Sequence, residues 1–525
     1  MNKKGVSYLG LILFAGAALL ASGSCGSVPD PPEQSRPNIV FIMSDDHTSQ
    51  AWGIYGGPLA DYVQAPNISR LAEEGCVLDN CFVSNSICTP SRATILTGQY
   101  SHRNGVRTLA DALEPGRLNI AGLLRQAGYQ TAVIGKWHLK TRPEGFDYFN
   151  VLPGQGRYWD PVLKSAETWE DGGRVYEGFS SDVIGEQALG WLKHRNAGRP
   201  FMLMCHFKAT HEPFDYPDRY KDLYNRAEIP EPESLYDFGP ETNGRSFAGQ
   251  KLDILADRWR KASENLGEGR SRYPGLPFST EGMSREEARK TTYQKFVKDV
   301  MRGGAAIDDN IGKLLDYLDK EGLADDTIVI YTADQGYFLG EHGWFDKRMF
   351  YEEAIRMPFV IRFPGEIPAG TRNRDLVENV DFASLLADFA GIEVPENMAV
   401  QGRSFRGNLQ GNTPRGWRKK TYYRYWLHQA HRPAHFGIRG ERYKLAFYYG
   451  QPLDMPGAER EMTEPAWEFY DLEQDPRELH NAYGDPEYLE VITDMKEELL
   501  KLRAELGDTD EQFPVMKEIL DKNWD

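Results

Sequence analysis

At 525 residues the chain is long enough for one large hydrophobic core with a smaller domain beside it. Hydrophobic residues make up 40% and charged residues 26%, the balance of an ordinary soluble globular protein. A formal net charge of −17 argues against general nucleic-acid binding, so any anion site has to be a local basic cluster set in an acidic surface.

The chain opens MNKKGVSYLGLILFAGAALLASGSCGS. A Lys-Lys pair precedes an apolar run over 9–21, and small residues follow, which reads as an export signal over residues 1–25. The run is too short for a stop-transfer helix. Cys25 follows Ser22-Gly23-Ser24, a lipobox without its usual leucine. An outer-membrane lipoprotein anchored at Cys25 and a free periplasmic or secreted protein therefore both stay open. That anchor is the only membrane contact expected. Residues 26–36 read as a flexible tether. The remaining cysteines, Cys76, Cys81, Cys88 and Cys205, are too few for a disulfide scaffold. Cys76 and Cys81 read as small core residues.

Four later segments share one pattern, an apolar run that stops at charged residues. Residues 38–43 (NIVFIM) run into Ser44-Asp45-Asp46-His47, and 131–134 (TAVI) into Gly135-Lys136-Trp137-His138. Residues 201–207 (FMLMCHF) run toward Lys208 and His211, and 327–332 (TIVIYT) into Ala333-Asp334-Gln335-Gly336. Such runs suit strands buried on both faces of a parallel sheet. Helical patterns at 118–127 and 304–323 alternate with them, which predicts a doubly wound α/β domain with a largely parallel sheet. In sheets of that kind ligands bind beyond the carboxyl ends of the strands. Asp45, Asp46, Lys136, His138, His211, Asp334 and Gln335 would then gather at one edge.

A single Asp-Asp pair after a strand reads as a turn. Two acid-bearing strand ends in one sheet repel each other unless a cation lies between them. Three carboxylates and an amide oxygen suit one hard cation, Ca²⁺ in preference to Mg²⁺. Lys347, in GWFDKRMFYEE, reads by itself as a solvated charge.

Residues 88–98 (CTPSRATILTG) resemble the first signature of the type I sulfatases, within the alkaline phosphatase superfamily. Residues 128–138 (GYQTAVIGKWH) are similar to their second signature, and the resemblance spans roughly residues 36 to 490. It implies that Cys88 is oxidised after synthesis to formylglycine, whose hydrate attacks sulfur and later releases sulfate by collapsing back to the aldehyde. A sulfatase-maturating enzyme is thereby implied as a partner. The resemblance also implies that Asp45, Asp46, Asp334 and Gln335 hold Ca²⁺, together with the residue formed from Cys88. Many family members carry Asn where Gln335 stands. Arg92, Lys136 and Lys347 would stabilise developing charge, His138 would act as base, and His211 would protonate the leaving oxygen with Lys347 beside it. Pro90 fits a helix that starts at the motif and turns its N-terminus to the anion.

The resemblance gives a catalytic domain over 37–403 and a smaller α+β subdomain over 404–525. The latter is expected to hold an antiparallel sheet, with a hairpin turning at Gly440-Glu441, and a helix over 486–506. Residues 227–292 are polar and broken by Pro and Gly, so they read as an insertion over the site rather than core. The segments 154–159 (GQGRYW) and 435–439 (HFGIR) look like the pocket segments of N-acetylglucosamine-6-sulfatase-like members. Arg157, Tyr158, His435 and Arg439 are accordingly the expected grips on a sulfated glycan, 6-O-sulfated hexosamine among them. Sheet packing is the plainer reading of these aromatics. Three other functions stay open: a phosphoester or phosphonate hydrolase of the same superfamily, a non-catalytic glycan-binding protein, and a thiolate enzyme using unmodified Cys88 and His138.

Overall fold

The four apolar runs become four neighbouring strands in the computed structural model, which describes residues 36–236, 248–264 and 272–524. They are β1 (Asn38–Asp45), β2 (Gln130–Lys136), β3 (Phe201–Thr210) and β4 (Thr327–Ala333), all parallel, in the spatial order β4-β1-β3-β2. Ile42 lies opposite Cys205 and Tyr331, and Ile134 opposite Cys205, so the four carboxyl ends finish level. Antiparallel strands enter only toward the edges, with Phe359–Arg362 against β4 and Val162–Ser165 against Tyr148–Leu152. Ten strands belong to this sheet among the described residues.

Side chains alternate across a strand, and here both faces are apolar because both are covered. Ile39, Phe41 and Met43 pack toward the helix α1 (Cys88–Thr97) and the helices Ile120–Gln126 and Phe382–Phe389. Val40 and Ile42 pack the other way, toward Pro66–Glu73, Ser180–His194 and the long helix α2 (Arg285–Lys320). The architecture is therefore doubly wound. All four described cysteines are buried and unpaired. The export-signal and tether readings fall at 1–36, of which 1–35 lie outside the described residues, as does Cys25.

Two expectations change. The helix read at 304–323 begins at Arg285, where Ser284 and Glu287 close a capping box. Its first turns are polar because they leave the sheet and support the segment before them. That segment, read as a polar insertion, builds a core of its own: Leu252, Leu255 and Trp259 share one face of the helix Leu252–Glu264 and pack with Phe214, Tyr273 and Phe296. Arg258 on this helix clamps Glu212 at 2.6 and 2.9 Å, next to His211, which puts the segment beside the rim of the site.

Near the C-terminus Thr421–Tyr425, His435–Arg439, Tyr443–Tyr448 and Ala466–Asp471 form an antiparallel sheet in chain order. The hairpin turns after Arg439 as expected, with Gly440 N donating to Tyr443 O at 2.8 Å. One face of this sheet joins the main core through Tyr423, Tyr425 and Tyr448, while the other packs on the helix Leu489–Leu506. Residues from Arg36 onward form one compact unit.

Candidate active site

The acids sit at or just beyond the ends of β1 and β4, and the cations come from the end of β2 (Lys136), from α1 (Arg92) and from the segment after Asp346 (Lys347). Asp45 ends β1, and Asp46 follows it and turns the chain with φ 60°. Asp334 and Gln335 follow β4, and Asp334 Oδ1 accepts the Asp46 amide at 3.1 Å. Carboxylate oxygens of Asp45, Asp46 and Asp334 lie within 4.8 Å of one another, and so do ligand atoms of Asp45, Cys88 and His211. Cys88 is the first residue of α1, a helix buried along its whole length. Its Sγ is 3.9 Å from Gln335 Nε2.

Each carboxylate faces a cation. Lys136 Nζ contacts Asp45, and also donates to Gln155 Oε1 at 2.7 Å. Lys347 Nζ reaches both oxygens of Asp46, at 2.6 and 2.5 Å. Arg92 grips Asp334 Oδ2 through Nε at 2.9 Å and Nη2 at 2.8 Å, and its Nη1 donates to the Lys136 carbonyl at 2.8 Å. One guanidinium thus ties α1 to β2 and β4. Gly135 makes the approach of β2 to β3 possible: its φ is 100°, and a Cβ there would sit 2.0 Å from His206 O.

The electrostatics call for more positive charge than these pairs supply. Burial pushes the Asp334 carboxyl up to about 7, with Asp45 and Asp46 adding to it against Arg92. Burial also raises Asp46, although Lys347 opposes it. At Asp45 burial is outweighed by Lys136, His211, Arg92 and Lys347, which hold it well below the carboxylate range. Asp45 Oδ1 and Gln335 Oε1 are buried with no hydrogen-bond partner. Buried oxygens without donors, among three adjacent carboxylates, fit a hard divalent cation.

Burial pushes the Cys88 thiol up to about 12 despite Lys136 and Lys347, so it is protonated at neutral pH and is no thiolate nucleophile. His138 is brought down to about 2 by burial and Lys136. His211 is also held well below its ordinary value, by burial foremost. Its Nδ1 donates to the Glu212 carbonyl at 3.0 Å, which leaves a lone pair on Nε2, 3.7 Å from Asp46 Oδ2.

The expected glycan grips fare differently. Tyr158 is buried and donates to the His211 carbonyl at 2.5 Å, so it positions that histidine. Arg157 is exposed, its Nε donating to Asp160 O at 2.7 Å. Arg439 is buried over Phe82, and Glu352 takes its guanidinium at 3.0 and 3.2 Å. His435 is fully enclosed among Tyr423, Tyr425 and Tyr448, with Nδ1 on the Pro433 carbonyl at 2.7 Å. Sequence reasoning passed over Gln155 as the partner of Lys136. It also passed over Asp346 and Arg348, which flank Lys347 in an ion-paired group with Arg432. Their adjacency to Lys347 was the available signal.

The parallel sheet brings an acid cluster and a ring of cations to one edge, a lining that suits a metal ion and a tetrahedral oxyanion. A sulfatase family model matches residues 37–392, and a model of the C-terminal region of N-sulphoglucosamine sulphohydrolases matches 340–505. The N-acetylglucosamine-6-O-sulfatase of Bacteroides thetaiotaomicron is 39% identical, over 94% of this chain and 90% of its own. The arylsulfatase of Clostridium perfringens is 25% identical over 89% and 94%. A solved structure of a protein in complex with its substrate D-glucosamine-2-N,6-O-disulfate superimposes with a TM-score of 0.80 at 37% identity, covering 91% of this chain and 100% of that one. The phosphonate monoester hydrolase of Agrobacterium radiobacter shares the fold, with a TM-score of 0.67 at 22% identity over 90% and 96%. The chain belongs to the sulfatase family and is a sulfuric ester hydrolase.

Proposed function

We propose that this sulfatase acts on a sulfated carbohydrate outside the cytoplasm, with 6-O-sulfated glucosamine as its substrate class. The observation that carries the catalytic reading is the meeting of Cys88 Sγ with Asp45 and His211 ligand atoms within 4.8 Å, beside the Asp45–Asp46–Asp334 group. The sugar assignment is supported by the 39% identical relative and by the neighbour whose substrate is a disulfated glucosamine. Export is supported by the signal-like residues 1–25, with Cys25 as the candidate anchor.

Asp45, Asp46, Asp334 and Gln335 would hold Ca²⁺, which supplies a Lewis acid for the sulfate oxygens and the nucleophile. Formylglycine made from Cys88 by a maturating enzyme supplies the hydrated aldehyde that serves as nucleophile. The chain's own groups do the rest. Arg92, locked on Asp334, holds a fixed positive charge at the start of α1. Lys136 and Lys347 sit on Asp45 and Asp46 and balance the charge growing on the sulfate oxygens. Neutral His138 takes up a proton at its ring nitrogen during sulfate release. His211 must gain a proton at Nε2 before it can give one to the leaving alcohol, and the negative charge of bound substrate favours that gain. Tyr158 holds the His211 backbone in place for this transfer.

Two measurements test the reading. Mass spectrometry of the peptide around residue 88 should find the aldehyde; a thiol in protein that turns over would remove the nucleophile. Paired aryl esters should release sulfate faster than phosphate. The reverse order would favour the phosphoester or phosphonate alternative, whose fold is shared.

A further inference from the structure

Three cations of the site form closed pairs with its three carboxylates: Lys136 with Asp45, Lys347 with Asp46, and Arg92 with Asp334. Lys208 is a fourth. It lies on β3, three residues before His211, and among the described residues it has neither a carboxylate partner nor a hydrogen-bond acceptor. Its polar contact is the face of Tyr158, whose ring centroid is 4.7 Å from Nζ. The whole residue is 3% exposed, so it is no solvated surface charge. The charged groups acting on it are Lys136, Asp45 and Asp46, which also surround the reacting position.

Enclosing an ammonium without an anion is unfavourable, and such a group is retained where a ligand brings the missing negative charge. We propose that Lys208 is a further sulfate-binding residue, its ammonium holding an oxygen of the scissile sulfate on the His211 side. The proposal rests on the sulfatase reading above. The competing role is a strut: through Tyr158, Lys208 would only steady His211. A strut affects proton delivery to the leaving oxygen and leaves the affinity for free sulfate unchanged.

The test uses the mature full-length protein, matched for aldehyde content at residue 88, with inorganic sulfate as a competitive inhibitor. Lys208→Met keeps the stem and removes the charge. It should weaken sulfate inhibition roughly tenfold to a hundredfold and raise KM, while Lys208→Arg restores most of the affinity. A fall in kcat with sulfate inhibition unchanged would make Lys208 a strut and overturn the proposal. If Lys208→Met does not fold, Lys208→Gln is measured in its place; failure of both would assign the residue to packing and likewise overturn it. Calorimetric titration of sulfate needs no turnover, so it decides the role of Lys208 even if the wild type hydrolyses no sulfate ester. That last result would instead sink the function reading.

Discussion

Cys88 begins a fully buried helix, and its surroundings decide what its thiol can do. With its pKa pushed up to about 12, it attacks nothing in the reduced form at neutral pH. Cys88→Ala should abolish sulfate release while the thermal melt stays within a degree or two, since only one small buried sulfur is lost; retained activity would overturn the nucleophile role. Arg92 is a sharper probe because its fork binds Asp334 twice and the Lys136 carbonyl once. Lysine cannot reproduce that geometry, so Arg92→Lys should lower kcat by roughly 10²–10³. Steady-state rates at saturating substrate check it. At this scale the sequence exposed groups whose meaning lies in their position along a strand. Asp45, Lys136, His211 and Asp334 could be assigned to one edge because each follows an apolar run. Arg439 could not be placed, because the partner that occupies it, Glu352, is 87 residues away.

The strands were legible as elements because parallel strands covered on both sides need uninterrupted apolar runs, and NIVFIM and TIVIYT are such runs. The small C-terminal sheet carried less information. It too is buried on both faces, so His435–Arg439 shows no alternation that would separate a cleft face from a packing face. The segment 227–292 misled for a different reason: its helix has apolar residues at 252, 255, 256 and 259, a pattern diluted by the charged residues between them. Gly135 is the position where an element's geometry bears directly on the chemistry. Its φ of 100°, and the 2.0 Å that would separate an added Cβ from His206 O, leave no room for a side chain. Gly135→Ala should destabilise the fold by at least about 2 kcal/mol, from backbone strain and overpacking together. It should also lower activity, because Lys136 follows it directly and His138 lies three residues on. Urea denaturation measures the first and turnover the second; a neutral substitution would mean that β2 and β3 can move apart freely.

For the molecule as a whole, stability should depend on the cation and on pH in separable ways. A cation bound only by the folded state stabilises it by about 2.7 kcal/mol when present at a hundred times its Kd, so chelation should lower both Tm and activity. An unchanged melt would count against the carboxylate site. Acid acts through other groups. Burial brings His47, His206 and His342 down to about 3, so between pH 6.5 and 3 the unfolded chain binds protons there that the folded chain does not. Those groups lose stability as pH falls. Burial raises the carboxyls of Asp215, Glu378 and Glu478 to about 7, and between pH 7 and about 4.5 the folded chain is the one that binds their protons. Those groups gain stability as pH falls, so in this window they oppose the histidines. Below about pH 4.5 the raised carboxyls are protonated in both states and their compensation ends. The histidines continue, each contributing about 1.4 kcal/mol per pH unit. Asp346, which Arg348 and Arg432 hold at about 2 against burial, adds to the loss. Urea midpoints should therefore change little from pH 7 to 5 and fall steeply below 4.5. A steady decline starting at pH 6.5 would mean that the buried carboxyls are charged in the folded protein and do not offset the histidines.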